Sequence, residues 1–206
     1  MTTTLFSRLK QFRNSEAGNL SVETVLVFPM LLWAYAAMFI YWDAFKAQNV
    51  NLKATYSVAD MVSRRYGPVT PAYVDGLNDI YAFLIRNNDG NDIRVSVVRY
   101  VTNQADPEGD PVMELRWSDG TGAMSPHLDE TPFAGNVPMM SLGDELIVVE
   151  TQMTWSPPID FALGFVGLSE QQFGNFVATS PRYREWICYD ADTNDVCDDE
   201  EGAPSI

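Results

Sequence analysis

The sequence is short of basic residues, of histidine and of cysteine, and each shortage closes off a kind of chemistry. Thirteen Lys and Arg stand against 28 Asp and Glu, a formal net charge of −15 with a pI near 4.2. Phosphate binding needs a basic face, so nucleic acid is excluded as a partner. One histidine, His127, and two cysteines, Cys188 and Cys197, leave no zinc-type ligand spacing. There is no serine-triad signature and no phosphate-cradling glycine loop. His127 sits in the Pro-containing stretch Ser125-Pro126-His127-Leu128 without a companion pattern for acid–base work. The chain therefore does not read as an enzyme. Internal repeats are also missing, and the acidic C-terminal stretch is the one biased tract. With 46% hydrophobic residues the chain is not disordered, and 206 residues suffice for one ordinary domain plus a membrane segment.

Charge is most completely missing between Thr24 and Trp42, TVLVFPMLLWAYAAMFIYW. At ~1.5 Å per residue this run covers roughly the ~30 Å hydrocarbon core of a bilayer. Trp33, Tyr35, Tyr41 and Trp42 supply aromatics, the last two at the outer border, and Asp43 ends the run. Residues 1–18 carry Arg8, Lys10 and Arg13 against Glu16, whereas 26 of the 28 acidic residues lie beyond Trp42. A basic head, an apolar run and an acidic body is what the positive-inside rule predicts for a head left in the cytoplasm.

Two other readings of the run stay open. A buried core helix rarely stays apolar on every face for five turns. A cleaved secretory signal would use Val25–Trp33 as its apolar region and Ala34-Tyr35-Ala36 as its small-residue site, but the apolar run continues past that site through Met38-Phe39-Ile40-Tyr41-Trp42. Glu23, at the cytoplasmic edge of the run, is either a marker of the membrane interface or a functional carboxylate, since acids are costly there. Pro29 removes one helical hydrogen bond inside the run.

Taken together, Arg13-Asn14-Ser15-Glu16-Ala17-Gly18-Asn19-Leu20-Ser21-Val22-Glu23 resembles the N-terminus of a type IV-type prepilin. The wider pattern, Gly18-x-x-x-Val22-Glu23 followed by Val27-Phe28-Pro29-Met30, is similar to the TadE/TadG-like minor pilin (pseudopilin) branch of tight-adherence pilus systems. The resemblance covers about residues 8–66. It implies a bacterial inner-membrane protein with a cytoplasmic N-terminus and a periplasmic body. It implies cleavage by a prepilin peptidase after Gly18, a methylated amine on Asn19, and pairing of Glu23 with that amine during assembly. Partners would be other pilin subunits, the pilus-assembly machinery and membrane lipid. Two charges near lipid are tolerable chiefly when they neutralise each other. Two departures are plain: Thr24 stands where the major pilins usually have Tyr, and the body is far larger than theirs, so a minor subunit fits better. The alternative is a permanently anchored, unprocessed periplasmic binding module.

The expected organisation is a leader over 1–18, a transmembrane helix over 19–43 and an acidic α+β body over 44–206, with a short helix and an antiparallel sheet. The helix is expected to continue through residues 44–66, with Phe45, Leu52, Tyr56, Ala59, Met61 and Val62 as its apolar face, until Gly67-Pro68 ends it. Thr70-Pro71 reads as the start of a second helix whose packing face is Tyr73, Leu77, Ile80, Tyr81 and Leu84, ending in the turn Asn87–Asn91. Strands are expected at Ile93–Val101 (with one slip in its alternation), Val112–Trp117, Glu145–Trp155 and Tyr183–Tyr189, the first two forming a hairpin. Phe161–Val166 reads as a short helix or a contact patch.

With the body outside the cytoplasm, Cys188 and Cys197 are expected to form a disulfide, stabilising by roughly 2–3 kcal/mol in the chain-entropy view. They bracket an acidic loop in which Asp190, Asp192, Asn194, Asp198 and Glu201 fall at positions 1, 3, 5, 9 and 12, the spacing of an EF-hand calcium loop. Position 6 is Asp195 rather than Gly, and the bridge would hold the loop closed where a standard EF-hand is open. The loop thus reads as a calcium site of another geometry or as a solvated turn; no other cofactor is expected.

Overall fold

The computed structural model describes residues 19–87, 90–103, 110–129, 131–133, 135–138, 140–158, 170–194 and 197. Two helices and four strands follow in the order α1 (Asn19–Ser63), α2 (Pro71–Ile85), β1 (Asn91–Val101), β2 (Val112–Gly120), β3 (Glu145–Trp155) and β4 (Gln171–Thr179). The strands form one antiparallel sheet in the order β2-β1-β3-β4. Both helices pack on one face of it.

Helix α1 is one element of 45 residues with Pro29 inside it. Its first half packs on almost nothing: Val25, Leu26, Met30, Tyr35 and Met38 are largely exposed. Burial begins at Ile40 and continues through Ala54, Val58, Ala59 and Val62. The buried face differs from the expected one, because Phe45, Leu52, Tyr56 and Met61 face outward. Small and β-branched residues turn inward there, letting the helix lie close on the sheet. The helix ends at Ser63, before Gly67-Pro68, and Arg65 N–H closes its last turn on the Val62 carbonyl at 3.0 Å.

Helix α2 starts where Thr70-Pro71 predicts. Thr70 is extended, its Oγ1 accepts from Tyr73 N–H at 3.2 Å, and Pro71 fills the first turn. Arg86 in the left-handed region caps its end. Its buried residues are Val74, Leu77 and Tyr81, while Ile80 and Leu84 are exposed. The apolar arc of α2 is wider than one packing surface can cover, and the sheet takes only one edge of it.

The hairpin β1–β2 forms as expected. Its register shifts between Val97 and Val98, where the alternation slips. Ile93, Val95, Val97, Ile147, Val149 and Met153 line the helix side of the sheet. Val98, Leu146, Val148 and Phe133 form a smaller cluster on the other side, under the loop that follows β2. That loop opens with Gly122 at φ 53, where any Cβ would run into the Asp92 carboxylate.

The last strand is the main correction. Tyr183–Tyr189 is not a strand; it is a series of bends with one bridge, Tyr189 to Val69. The fourth strand is Gln171–Thr179, which pairs with β3 along its whole length. Gln, Gly and Asn make that segment a poor strand former by itself, so the free edge of β3 decides it. In residues 183–189 the polar groups go elsewhere: Ile187 N–H donates to Glu145 Oε2 at 3.1 Å and the Ile187 carbonyl accepts from Trp117 Nε1 at 2.9 Å. The expected patch Phe161–Val166 lies outside the described residues.

Candidate functional site

The site the sequence points to is the bare half of α1. Among the described residues α1 is the one helix long and apolar enough to cross a membrane; its most apolar 18-residue stretch has a mean hydropathy of 1.8 and is 6% buried. Glu23 is exposed on it and Pro29 is exposed within it. Pro29 offers no N–H to the Val25 carbonyl one turn earlier. Asn19 is the first helical residue; Gly18 and the rest of the leader lie outside the described residues. Five residues from Asn19 to Glu23 put the carboxylate about one turn above the helix start.

The border of the bare half is fastened to the body. Asp43, the first charge after the apolar run, accepts from Trp155 Nε1 at 3.1 Å. Trp155 is the last residue of β3 and stacks on Phe173 of β4. A cavity of about 510 Å³ opens beside this contact, with Asp43, Ala47, Ile85 and Glu170 in its wall.

Higher up, α1 is locked by a buried polar group that sequence reading did not single out. Asn51 and Thr55 lie one turn apart and are fully buried. Asn51 Oδ1 accepts from Tyr81 of α2 at 2.7 Å and stands 3.4 Å from Thr151 Oγ1 of β3. Asn51 Nδ2 donates to the Phe173 carbonyl of β4 at 3.1 Å. Thr55 and Thr151 share a hydrogen bond at 2.8 Å. Burial pushes the Tyr81 phenol up to about 12, so it stays a neutral donor at any ordinary pH. Residues 44–63 mix polar and apolar side chains, so nothing local marked Asn51 and Thr55 as the polar pair that turns inward.

On the opposite face of the sheet, His127 is spoken for. Its Nε2 lies 2.7 Å from Glu150 Oε2, which also accepts from Arg94 Nε at 2.8 Å. Arg94 reaches on to the Ser125 carbonyl, and His127 N–H donates to Ser118 Oγ. The cluster pins the loop after β2 to the sheet. Burial alone would raise the Glu150 carboxyl, but the hydrogen bonds and charges of Arg94 and His127 outweigh it and hold the group below its ordinary value of 4.5. A depressed carboxyl contributes stability that is present above its unfolded value and is lost as pH falls through the folded one. Glu150→Gln is therefore expected to cost about 1–2 kcal/mol near neutral pH. The gap from the parent should close only below pH 4.5. Paired thermal melts from pH 7 to pH 3 check it; a gap that does not narrow in acid defeats the assignment.

Cys188 and Cys197 are bridged, with Cα atoms 5.5 Å apart. The strap they close is fixed to the chain between the helices, since Val69 N–H donates to the Cys188 carbonyl and Asp190 N–H to the Val69 carbonyl. Asp190 is fully buried and its Oδ1 accepts from Asn194 N–H at 3.1 Å, closing a turn. Asp192 and Asn194 are exposed, and Asp198 and Glu201 lie outside the described residues. So the structure joins the two cysteines and, among the described members of the acidic set, turns Asp190 inward and leaves Asp192 and Asn194 exposed.

Comparison of the chain with family models, curated proteins and solved structures finds no match.

Proposed function

We propose that the chain is a membrane-anchored assembly subunit, a minor pilin-like or pseudopilin-like component of a tight-adherence-type pilus or secretion apparatus. Its role is structural rather than catalytic. What carries the reading is the division of α1. One unbroken helix is largely bare from Val22 to Phe39 and free of charge from Thr24 on, then becomes the spine of the body from Ile40 to Ser63. A helix of that kind hands over a whole apolar face to lipid, or to the same face of neighbouring subunits, without any change in the domain it carries. Glu23 near its start supplies the carboxylate that would meet the amine of Asn19 after cleavage at Gly18. Pro29 supplies a point where the helix can bend between the two environments.

In this reading the body lies in the periplasm, prepilin peptidase processes the leader, and other pilin subunits and the assembly machinery are the partners. Mass spectrometry of membrane-extracted protein tests it. The expected N-terminal peptide begins at Asn19 with a methylated amine. A peptide still carrying residues before Asn19 returns the chain to a permanently anchored binding module. One beginning after Ala36 makes it an exported domain without an anchor.

A further inference from the structure

Helix α1 carries a stripe of large apolar side chains beyond the point where a bilayer would cover them. Asp43 ends the uncharged run, yet Phe45 is 63% exposed, Leu52 37% and Tyr56 58%. Periodicity assigns these residues to a packing face, and the fold turns them outward. The body takes the other side of α1 through Asn51, Ala54, Thr55 and Val58. Contiguous apolar surface left in water marks a contact with another protein.

The spacing of the stripe says what fits it. Trp42, Phe45, Asn49, Leu52 and Tyr56 follow one another at alternating steps of three and four residues. The same steps lead back to Met38 and Tyr35, both exposed. Ala59, the next step forward, is buried against the body, so the stripe ends at Tyr56. A period of ~3.5 residues held over this length is the seam of a helix pair. Lipid selects no such period. Asn49 is the one polar member; it is exposed, and its Nδ2 donates to the Phe45 carbonyl one turn back. A single asparagine in such a seam fixes register, because the two amides meet only when the helices are parallel and level.

Three features select a second copy of the same helix as the occupant. The body lies across α1 from the stripe, so two chains can face one another with their bodies outward. The membrane anchor, on the reading proposed above, points every copy the same way and makes the pair parallel. The charges beside the stripe also permit it. Asp43 is turned to Trp155, and Asp60 to Arg64 and Arg182. Lys46 and Lys53 remain as flanking charges. In a parallel pair Tyr41 comes opposite Lys46 of the second copy and Gln48 opposite its Lys53, so no like charges are brought together.

We propose that two copies of the chain pair through this stripe as a parallel, level coiled coil running from Tyr35 to Tyr56, with the two Asn49 amides bonded to each other. The same patch serves both copies, so the contact is two-fold symmetric and closes as a dimer. It rests on the anchored reading of α1, but not on cleavage at Gly18 or on the role of Glu23.

Cysteine cross-linking of the full chain in its native membrane tests the register. Asn49→Cys should join to Asn49→Cys, and Leu52→Cys to Leu52→Cys, under mild oxidation. Ser57→Cys, exposed on the same helix but off the stripe, should cross-link about tenfold less. Sedimentation in a non-ionic detergent tests the contact itself. The wild type should form dimers in the range of tens of micromolar and be monomeric when dilute. Phe45→Asp should weaken association about tenfold or more, with circular dichroism verifying the fold. Asn49→Leu should tighten it and let species beyond the dimer appear, since the residue that fixes register is gone. Membrane-extracted protein that stays monomeric to about 0.1 mM overturns the pairing and leaves the anchor standing. Equal cross-linking at 49 and 57 overturns the stripe as the contact, and Asn49→Leu that associates no more tightly overturns the seam. A chain that fractionates as soluble fails the anchored reading itself and removes the basis for a parallel pair.

Discussion

Glu23→Ala is expected to remove the chain from any assembled fibre while leaving it in the membrane. Insertion depends on the apolar run from Thr24 to Trp42, and alanine at position 23 makes that run longer, not shorter. Assembly is different, because each subunit would bring an N-terminal amine into an apolar surrounding where only a carboxylate can neutralise it. Removing one member of such a pair leaves the other charge uncompensated, a loss of roughly a hundredfold or more per contact. In cells this predicts full recovery of the variant from membranes and none from sheared fibres. Glu23→Gln should behave the same way, since it keeps the size and loses the charge, whereas Glu23→Asp should retain part of the function. Wild-type amounts of Glu23→Ala in fibres would defeat the pairing role and favour an anchored binding module.

The second large effect lies at Asn51. Asn51→Ala removes the acceptor for Tyr81 and the donor to the Phe173 carbonyl, and leaves Tyr81 Oη buried without its 2.7 Å partner. Unmade buried hydrogen bonds and the small cavity together should cost about 3 kcal/mol. The control is two residues away. Asn49 is exposed and hydrogen-bonds the Phe45 carbonyl one turn back, so Asn49→Ala should stay within about 0.5 kcal/mol. Denaturant unfolding in detergent measures both. Adding Tyr81→Phe to Asn51→Ala should restore part of the loss, because it deletes the orphaned hydroxyl; the same change in the wild type should cost stability. Simple additivity of the two substitutions would mean that Tyr81 and Asn51 are not coupled as the geometry has them.

Legibility in the sequence followed the range of the interactions. Thr70-Pro71, the long Gly-free helix and the alternation of Glu145–Trp155 are local signals, and those elements formed where they were expected. Faces were harder. Both helices carry apolar residues around more than half their circumference, and periodicity does not say which part meets the sheet. Phe45, Tyr56 and Leu84 therefore turned outward, and Ala54, Val58 and Val74 inward. The exchange of strands at the end had the same cause. Tyr183–Tyr189 is rich in aromatic and apolar residues but spends its backbone groups on Glu145, Trp117 and Val69, while Gln171–Thr179 alternates poorly and lies against the long open edge of β3.

By itself, then, the sequence determined the apolar run, the placement of Gly18, Glu23 and Pro29 relative to it, the charge asymmetry and the main local elements. Each of these is a matter of composition and spacing along the chain. The tertiary structure alone decided three things. It brought residues 43 and 155 together at the foot of the body, and residues 51, 81 and 151 together at its centre. It also turned Phe45, Leu52 and Tyr56 of α1 outward, away from the body. The reason is that hydrogen bonds and charge pairs act over a few ångströms in space, and one sequence pattern is compatible with many ways of bringing distant segments within that reach.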